Sequence, residues 1–212
     1  MKPYFQSIRK PNPSSSVTKN IFITLVIVLL GFFLGIFQKW LDATPVNELP
    51  QLFTRLDITN FFGRIAVWIL IATVISVYAS TPANAAIRTF LFFAAMLLGY
   101  YLYSHFILGF FPKAYAAIWG VFSIASFFLA YLTWYAKGNG TMAILVSCAI
   151  LGVLFAQAFF LTQGFRITHW LEVMTWCAAL FVLRRKPKEF AIEFGLSVII
   201  AFLYQLCIPY WG

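Results

Sequence analysis

The chain has 212 residues, 62% of them hydrophobic and only 10% charged, with a formal net charge of +9 and a mean hydropathy of +0.88. A soluble domain carries about 25% charged residues, and a water-soluble fold of this size has no way to hide so much apolar surface, so hydrocarbon is the expected solvent. The basic residues fall in loops and at span ends, where membrane topology explains them, and no nucleic-acid-binding motif is present, so no nucleic-acid partner is expected.

Residues 1–20 read as a cytoplasmic basic tail with Lys2, Arg9, Lys10 and Lys19, made flexible by Pro11-Asn12-Pro13-Ser14-Ser15-Ser16. No cleavage signal follows it. Residues 21–209 read as one all-α bundle of about seven transmembrane spans plus one short interfacial amphipathic helix. The first span, about 21–37, is uncharged and long enough to cross with its flanks. Its Gly31 and Gly35 form a GxxxG that permits close backbone approach. Residues 38–57 form an extracytoplasmic loop. There Leu49, Leu52, Phe53 and Leu56 recur at helical spacing, with Pro50 in the first turn, which predicts an amphipathic helix at the membrane surface.

The second span covers about 60–79, with Asp57 or Thr59 as its cap. Ser80-Thr81-Pro82, a hydroxyl cap followed by proline, opens the third span over 82–108. Asn84 supports that turn. Gly109 to Pro112 breaks the pattern, and the fourth span follows over 112–135. Lys137-Gly138-Asn139-Gly140 is the clearest turn in the chain. The fifth span, 141–161, carries Cys148, Gly152 and Ala156 four apart, with Ala143 and Ser147 beside them, as a packing face. Gly164 suits its C-terminal cap, and Gln157 is placed to bond across helices. The sixth span, 167–183, is short and holds Thr168, His169, Glu172 and Thr175. The seventh covers 190–208 and is ended by Pro209.

With the N-terminus inside, the inner side collects Lys2, Arg9, Lys10, Lys19, Arg88, Lys137, Arg184, Arg185, Lys186 and Lys188. The outer side collects Lys39, Arg55, Arg64, Lys113 and Arg166. That asymmetry has the sign the positive-inside rule requires. Arg184, Arg185, Lys186 and Lys188 are expected to hold the anionic inner leaflet, at about 1 kcal/mol per basic residue near the surface. The C-terminal Tyr210 and Trp211 then lie outside.

Ionisable residues within spans are the first place to look for function. Arg64, His105, His169 and Glu172 all fall about one turn inside the outer face, and form a candidate outer polar site. His169 and Glu172, three apart, share a helical face. Such a cluster suits binding of an anionic headgroup or relay of a proton. Arg88 and Glu193, one turn inside the inner face, form a candidate inner ion pair. The structural alternative is that Arg64–Glu172 and Arg88–Glu193 are simple inter-helix pairs or snorkelling charges. Tyr100, Tyr101, Tyr103 and Ser104 beside His105 fit either a polar pocket or an aromatic belt.

Cys148, Cys177 and Cys207 lie in apolar runs and read as packing residues. There is no HExxH, Walker loop, GxSxG or GxGxxG, so no metal, cofactor or catalytic residue is expected. No convincing internal repeat is visible in the residues, so the inverted-repeat signature of many transporters is missing.

The segments from Tyr78-Ala79-Ser80-Thr81-Pro82-Ala83-Asn84-Ala85-Ala86 through Tyr100-Tyr101-Leu102-Tyr103 carry a resemblance, as do Gly109-Phe110-Phe111-Pro112-Lys113 and Trp134-Tyr135-Ala136-Lys137-Gly138. This middle half of the chain resembles a group of small polytopic membrane proteins of Gram-positive, Clostridium-like bacteria with no established function. The resemblance implies a bacterial plasma-membrane location and says nothing of activity or site residues. The readings carried forward are a transporter-like or lipid- and small-molecule-handling protein, a non-catalytic membrane subunit of a larger complex, and an intramembrane enzyme. The subunit reading predicts that the small-residue strip Gly31–Gly35 or Cys148–Ala156 is left uncovered by the chain's own helices.

Overall fold

A computed structural model describes residues 7–12, 16–162 and 164–208. The expectations for Lys2, for Pro13, Ser14 and Ser15, and for Pro209, Tyr210 and Trp211 lie outside the described residues. Helix α1 is Val17–Ala43, α2 Gln51–Arg55, α3 Ile58–Gly63, α4 Ala66–Val77, α5 Pro82–Phe106, α6 Lys113–Thr133, α7 Thr141–Ala158, α8 Trp170–Leu183 and α9 Pro187–Cys207. A small antiparallel hairpin pairs β1 (Phe159–Phe160) with β2 (Arg166–Ile167). Among the described residues five helices are long and apolar enough to cross a membrane, and α4 and α8 are shorter apolar helices. The protein is an all-α, multi-pass membrane protein, with helices consistent with about seven spans.

Several boundaries differ from the expected spans. Helix α1 continues to Ala43, well past the apolar run, because Lys39 finds a protein environment rather than water. The second span is broken at Arg64-Ile65 into α3 and α4. Gly164, expected to cap the fifth span, lies instead in the hairpin loop with φ of 100°; α7 has already ended at Ala158. Thr81 caps α5 as expected, accepting from the Asn84 amide at 3.1 Å, and the Asn84 side chain donates to Ser80 at 2.8 Å. Of the expected amphipathic helix, five residues are helical. Phe53 packs on the rings of Phe37 and Trp40, while Leu52 and Leu56 stay exposed.

The bundle expected over residues 21–209 resolves into two compact units, each assembled from separate stretches of chain. One comprises Pro11–Gly63 and Tyr78–Tyr131. Its core is the pair α1 and α5, which run parallel in a constant register. Gly31 meets the backbone of Phe92, Gly35 that of Met96, and Gly99 that of Phe32. The close approach needs glycine, because a Cβ at these positions would overlap a carbonyl. Buried basic residues tie both ends of the seam. Arg88, 5% exposed, donates to Asn20 Oδ1 at 2.9 Å and to Thr24 Oγ1 at 3.2 Å. Lys39, 8% exposed, reaches the Tyr100 hydroxyl at 3.4 Å, and that hydroxyl donates to Asp42 at 2.7 Å. The ammonium also lies 4.8 Å and 5.2 Å from the ring centroids of Tyr100 and Phe110, a favourable place for a desolvated cation. Helix α6 buries only Ser123 and Ala130.

The other unit comprises Met1–Lys10, Arg64–Val77 and Leu132–Gly212. Its core pair, α7 and α9, is also parallel. Cys148 Sγ lies 3.6 Å from the Glu193 carbonyl, Gly152 packs on Ser197 and Ile200, and Ala156 shares a buried cluster with Ala201. Gln205 on α9 closes the end of α7: its amide donates to the carbonyls of Ala156 at 2.9 Å and Phe159 at 2.6 Å, and its oxygen accepts from the Leu161 amide at 2.9 Å. A helix end exposes carbonyls that hydrocarbon cannot satisfy, and one glutamine supplies the missing donors. Helices α4 and α8 pack beside this pair through Ala66, Val77, Leu151, Leu154, Ala179 and Leu183.

A repeat of architecture therefore exists where none was visible in the residues. In each unit two parallel helices meet through small residues. The members of each pair are joined by a stretch of chain, Thr44 to Thr81 in one case and Phe159 to Lys186 in the other, that contains one short apolar helix, α4 or α8, both of which belong to the unit of α7 and α9. Both second members begin with proline, Pro82 and Pro187. Six residues further on each buries a charge, Arg88 and Glu193. The repeat lies in direction, register and the placing of small residues, which many sequences satisfy.

Candidate functional site

Arg64 stands in the break between α3 and α4, one residue before Ile65 and two before the first residue of α4. Glu172 is in the first turn of α8, where the partial positive charge of the helix N-terminus favours a carboxylate. Arg64 Nε donates to Glu172 Oε1. Glu172 is 0% exposed, while the Arg64 side chain keeps 17% of its surface exposed. A buried carboxylate is tolerable only with such a partner.

Further polar atoms near this end of α8 are buried without a hydrogen-bond partner among the described residues: Glu172 Oε2, the Trp176 indole nitrogen one turn along, and Thr168 Oγ1. They include an acceptor, a donor and a hydroxyl that serves as both. Buried polar groups are rarely left so, and ordered water or a polar ligand is the usual remedy. The hairpin closes above them. The Thr168 amide donates to the Ala158 carbonyl at 2.9 Å, and Phe165 stacks on Phe159 with centroids 5.4 Å apart. His169 is the N-cap residue of α8 and is half-buried, with no side-chain capping bond.

Of the expected outer site, Arg64, His169 and Glu172 thus belong to one unit, with Arg64 and Glu172 directly paired. His105 belongs to the other. It is exposed and lines a largely apolar cavity of about 410 Å³ with Leu98, Tyr101, Leu102, Phe111 and Lys113. Tyr100 is committed to Lys39 and Asp42, and Ser104 donates to the Phe110 carbonyl at 2.9 Å.

Arg88 and Glu193 also fall in different units, and each has local partners. Arg88 is held by Asn20 and Thr24 as described. Glu193, 0% exposed, lies 3.4 Å from Arg185 Nε. The same guanidinium donates to the Ala136 carbonyl, to Gly138 O at 2.9 Å and to Ser147 Oγ at 3.3 Å, and it lies 3.8 Å from Glu189. Arg185 is therefore a buried clamp joining the 134–140 turn, α7 and α9. Its side chain is 7% exposed, so of the four basic residues expected at a leaflet surface only Arg184, Lys186 and Lys188 stand exposed. Residue identity within Arg184-Arg185-Lys186 carries no sign of this; the signal was an acid, Glu193, eight positions on without a local base.

The basic tail is likewise docked where it is described. Ile8 is buried, and its carbonyl accepts from the Asn139 amide at 2.7 Å. Arg9 donates to Trp134 O at 2.5 Å and Val77 O at 2.9 Å, with its guanidinium 4.2 Å from the Trp134 ring centroid. Burial pushes its pKa below the ordinary arginine value.

Both small-residue strips are covered by the chain's own helices, Gly31–Gly35 by α5 and Cys148–Ala156 by α9, which counts against the subunit reading. Gln157 bonds across to Tyr204 at 3.4 Å, as expected. Among the described residues no three His, Cys, Asp or Glu gather as a metal site. Compared with protein-family models, with curated proteins and with solved structures, the chain gives no match.

Proposed function

We propose that the protein binds a small polar solute or a lipid headgroup and moves it across the membrane, using a site at the Arg64–Glu172 pair. One observation carries this reading. The two short helices, α4 and α8, each lie in the stretch of chain that joins the members of a parallel pair, both pack in the same unit, and the Arg64–Glu172 pair joins them at their N-terminal ends. Their 12 and 14 residues give lengths of about 18 and 21 Å, against about 30 Å of hydrocarbon. Short or interrupted helices at corresponding positions of two halves are where transporters present binding groups. Helix N-termini offer amide donors there, and the unbonded atoms of Glu172, Trp176 and Thr168 offer further contacts to a polar ligand.

We infer further that the N-terminus is cytoplasmic and the membrane a bacterial plasma membrane, with Arg184, Lys186 and Lys188 against anionic lipid. The basic-residue asymmetry and the resemblance of the middle segments support this.

The test is reconstitution. Purified protein in liposomes is assayed for flux of a panel of small polar solutes and for exchange of a fluorescent phospholipid between leaflets. Flux above protein-free liposomes that is lost in Glu172→Gln, with the variant still monodisperse, is the expected result. Equal rates in wild type and variant for every probe overturn the reading.

A further inference from the structure

The cavity that His105 lines is built entirely by the unit of α1 and α5. Leu98, Tyr101, Leu102 and His105 line it from one face of α5. The 107–112 loop folds back to make the other wall. Its Phe110 amide donates to the Ser104 carbonyl at 3.2 Å, and Phe111 packs on Tyr101 with ring centroids 5.3 Å apart. The volume, about 410 Å³, falls in the range of small-ligand sites. Polarity is graded along the cavity. Lys113 opens α6 and His105 lies one residue before the end of α5, and both are exposed. Leu98 lies seven residues back along α5, about 10 Å further from that end of the helix at 1.5 Å per residue. Leu98, Leu102 and Phe111 are exposed apolar side chains, so along a membrane-spanning helix the cavity opens to lipid. Lys113 forms no ion pair among the described residues, and no aspartate or glutamate lines the cavity. Tyr115 and Trp119, in the first two turns of α6, are exposed, and these residue types settle at headgroup level.

We propose that this cavity holds one anionic phospholipid. Its phosphate sits at the Lys113 and His105 end, and an acyl chain runs down the wall of Leu102 and Leu98. A phosphodiester carries one negative charge, which the Lys113 ammonium balances, and an imidazole N–H donates to a phosphate oxygen. A zwitterionic headgroup brings an additional cation that the lining has no acid to meet. The site uses neither Arg64 nor Glu172, and neither proposal depends on the other.

The experiment reads binding at the cavity itself. The full-length protein, with its three cysteines replaced by alanine, carries a fluorophore on Ile107→Cys, an exposed position beside the mouth. In neutral detergent it is titrated with phosphatidylglycerol and with phosphatidylcholine, each bearing the same nitroxide-labelled acyl chain that quenches the fluorophore on contact. Saturable quenching by phosphatidylglycerol, at lower concentration than by phosphatidylcholine, is expected. Lys113→Gln should weaken the phosphatidylglycerol affinity about fivefold. Leu102→Trp, which fills the cavity, should abolish saturable quenching in a variant that stays monodisperse. Lys186→Gln, in the other unit, should leave the affinity at this reporter unchanged. Inorganic phosphate should not compete; displacement of the lipid by phosphate at equal concentration overturns the lipid as the occupant. Equal affinity for the two lipids, no effect of Lys113→Gln, or equal weakening by Lys186→Gln overturns the site.

Discussion

Gly31 of α1 lies directly against the carbonyl of Phe92 on α5, with no room for a methyl group between them. Four residues on, Gly35 and Met96 repeat the contact. In lipid, association of helices depends on such close packing rather than on a hydrophobic drive. Gly31→Ala should therefore destabilise the protein by about 1–3 kcal/mol through overpacking. Gly120→Ala is the control, because a Cβ there meets nothing within 4 Å; its melting temperature in detergent should match or slightly exceed that of wild type.

The Arg64–Glu172 pair should show strong coupling. Arg64→Leu alone leaves a buried carboxylate and should cost about 3–5 kcal/mol. Adding Glu172→Leu removes that charge and should recover much of the loss. A double-mutant cycle on unfolding midpoints measures the coupling. Additive effects would mean the two side chains do not share one energetic contact.

Arg184 and Arg185 are neighbours with opposite environments. Arg185→Gln should destabilise strongly, because it uncouples the 134–140 turn from α7 and α9 and leaves Glu193 buried. Arg184→Gln should stay within about 0.5 kcal/mol of wild type. Comparing the folded fraction of the two variants after detergent extraction and mild heating checks this.

The proposed cytoplasmic N-terminus gives a labelling prediction. In a background with Cys148, Cys177 and Cys207 replaced by alanine, Phe165→Cys should react with an impermeant maleimide in intact cells. Asn139→Cys should react only after permeabilisation. The reverse pattern would invert the orientation, and labelling of both in intact cells would change the number of crossings between them.

Much of this fold is legible in the residues because hydrocarbon imposes one rule at a time: a long uncharged run must be helical and must cross. The start of α5 at Thr81-Pro82 and the turn at Gly138–Gly140 carry their own chemistry. Arg64 and Glu172 were recognisable as partners because each is a costly charge at a similar depth. What escaped depends on three-dimensional context. The hydropathy that marks the lipid boundary does not mark where helical hydrogen bonding stops, so α1 outran its apolar run. Arg185 looked like one of several loop cations because a run of basic residues does not say which of them turns inward. Ile8 and Arg9 dock through backbone carbonyls, which any sequence provides. The break at Arg64-Ile65 has no proline or glycine of its own; Gly63 precedes it, and the pairing with Glu172 holds Arg64 inside the protein.

Gln205 adds a constraint in time. Its amide completes the end of α7 by bonding to the Phe159 carbonyl, 46 residues earlier in the chain. At about 5–20 residues per second of synthesis, roughly two to nine seconds separate the emergence of those two residues from the ribosome. Through that interval the last carbonyls of α7 need water or the insertion machinery as a temporary host. The final turn of an early-translated helix is settled only when a late one arrives, which makes release from the translocon, and not translation of α7, the step at which this part of the protein acquires its finished form.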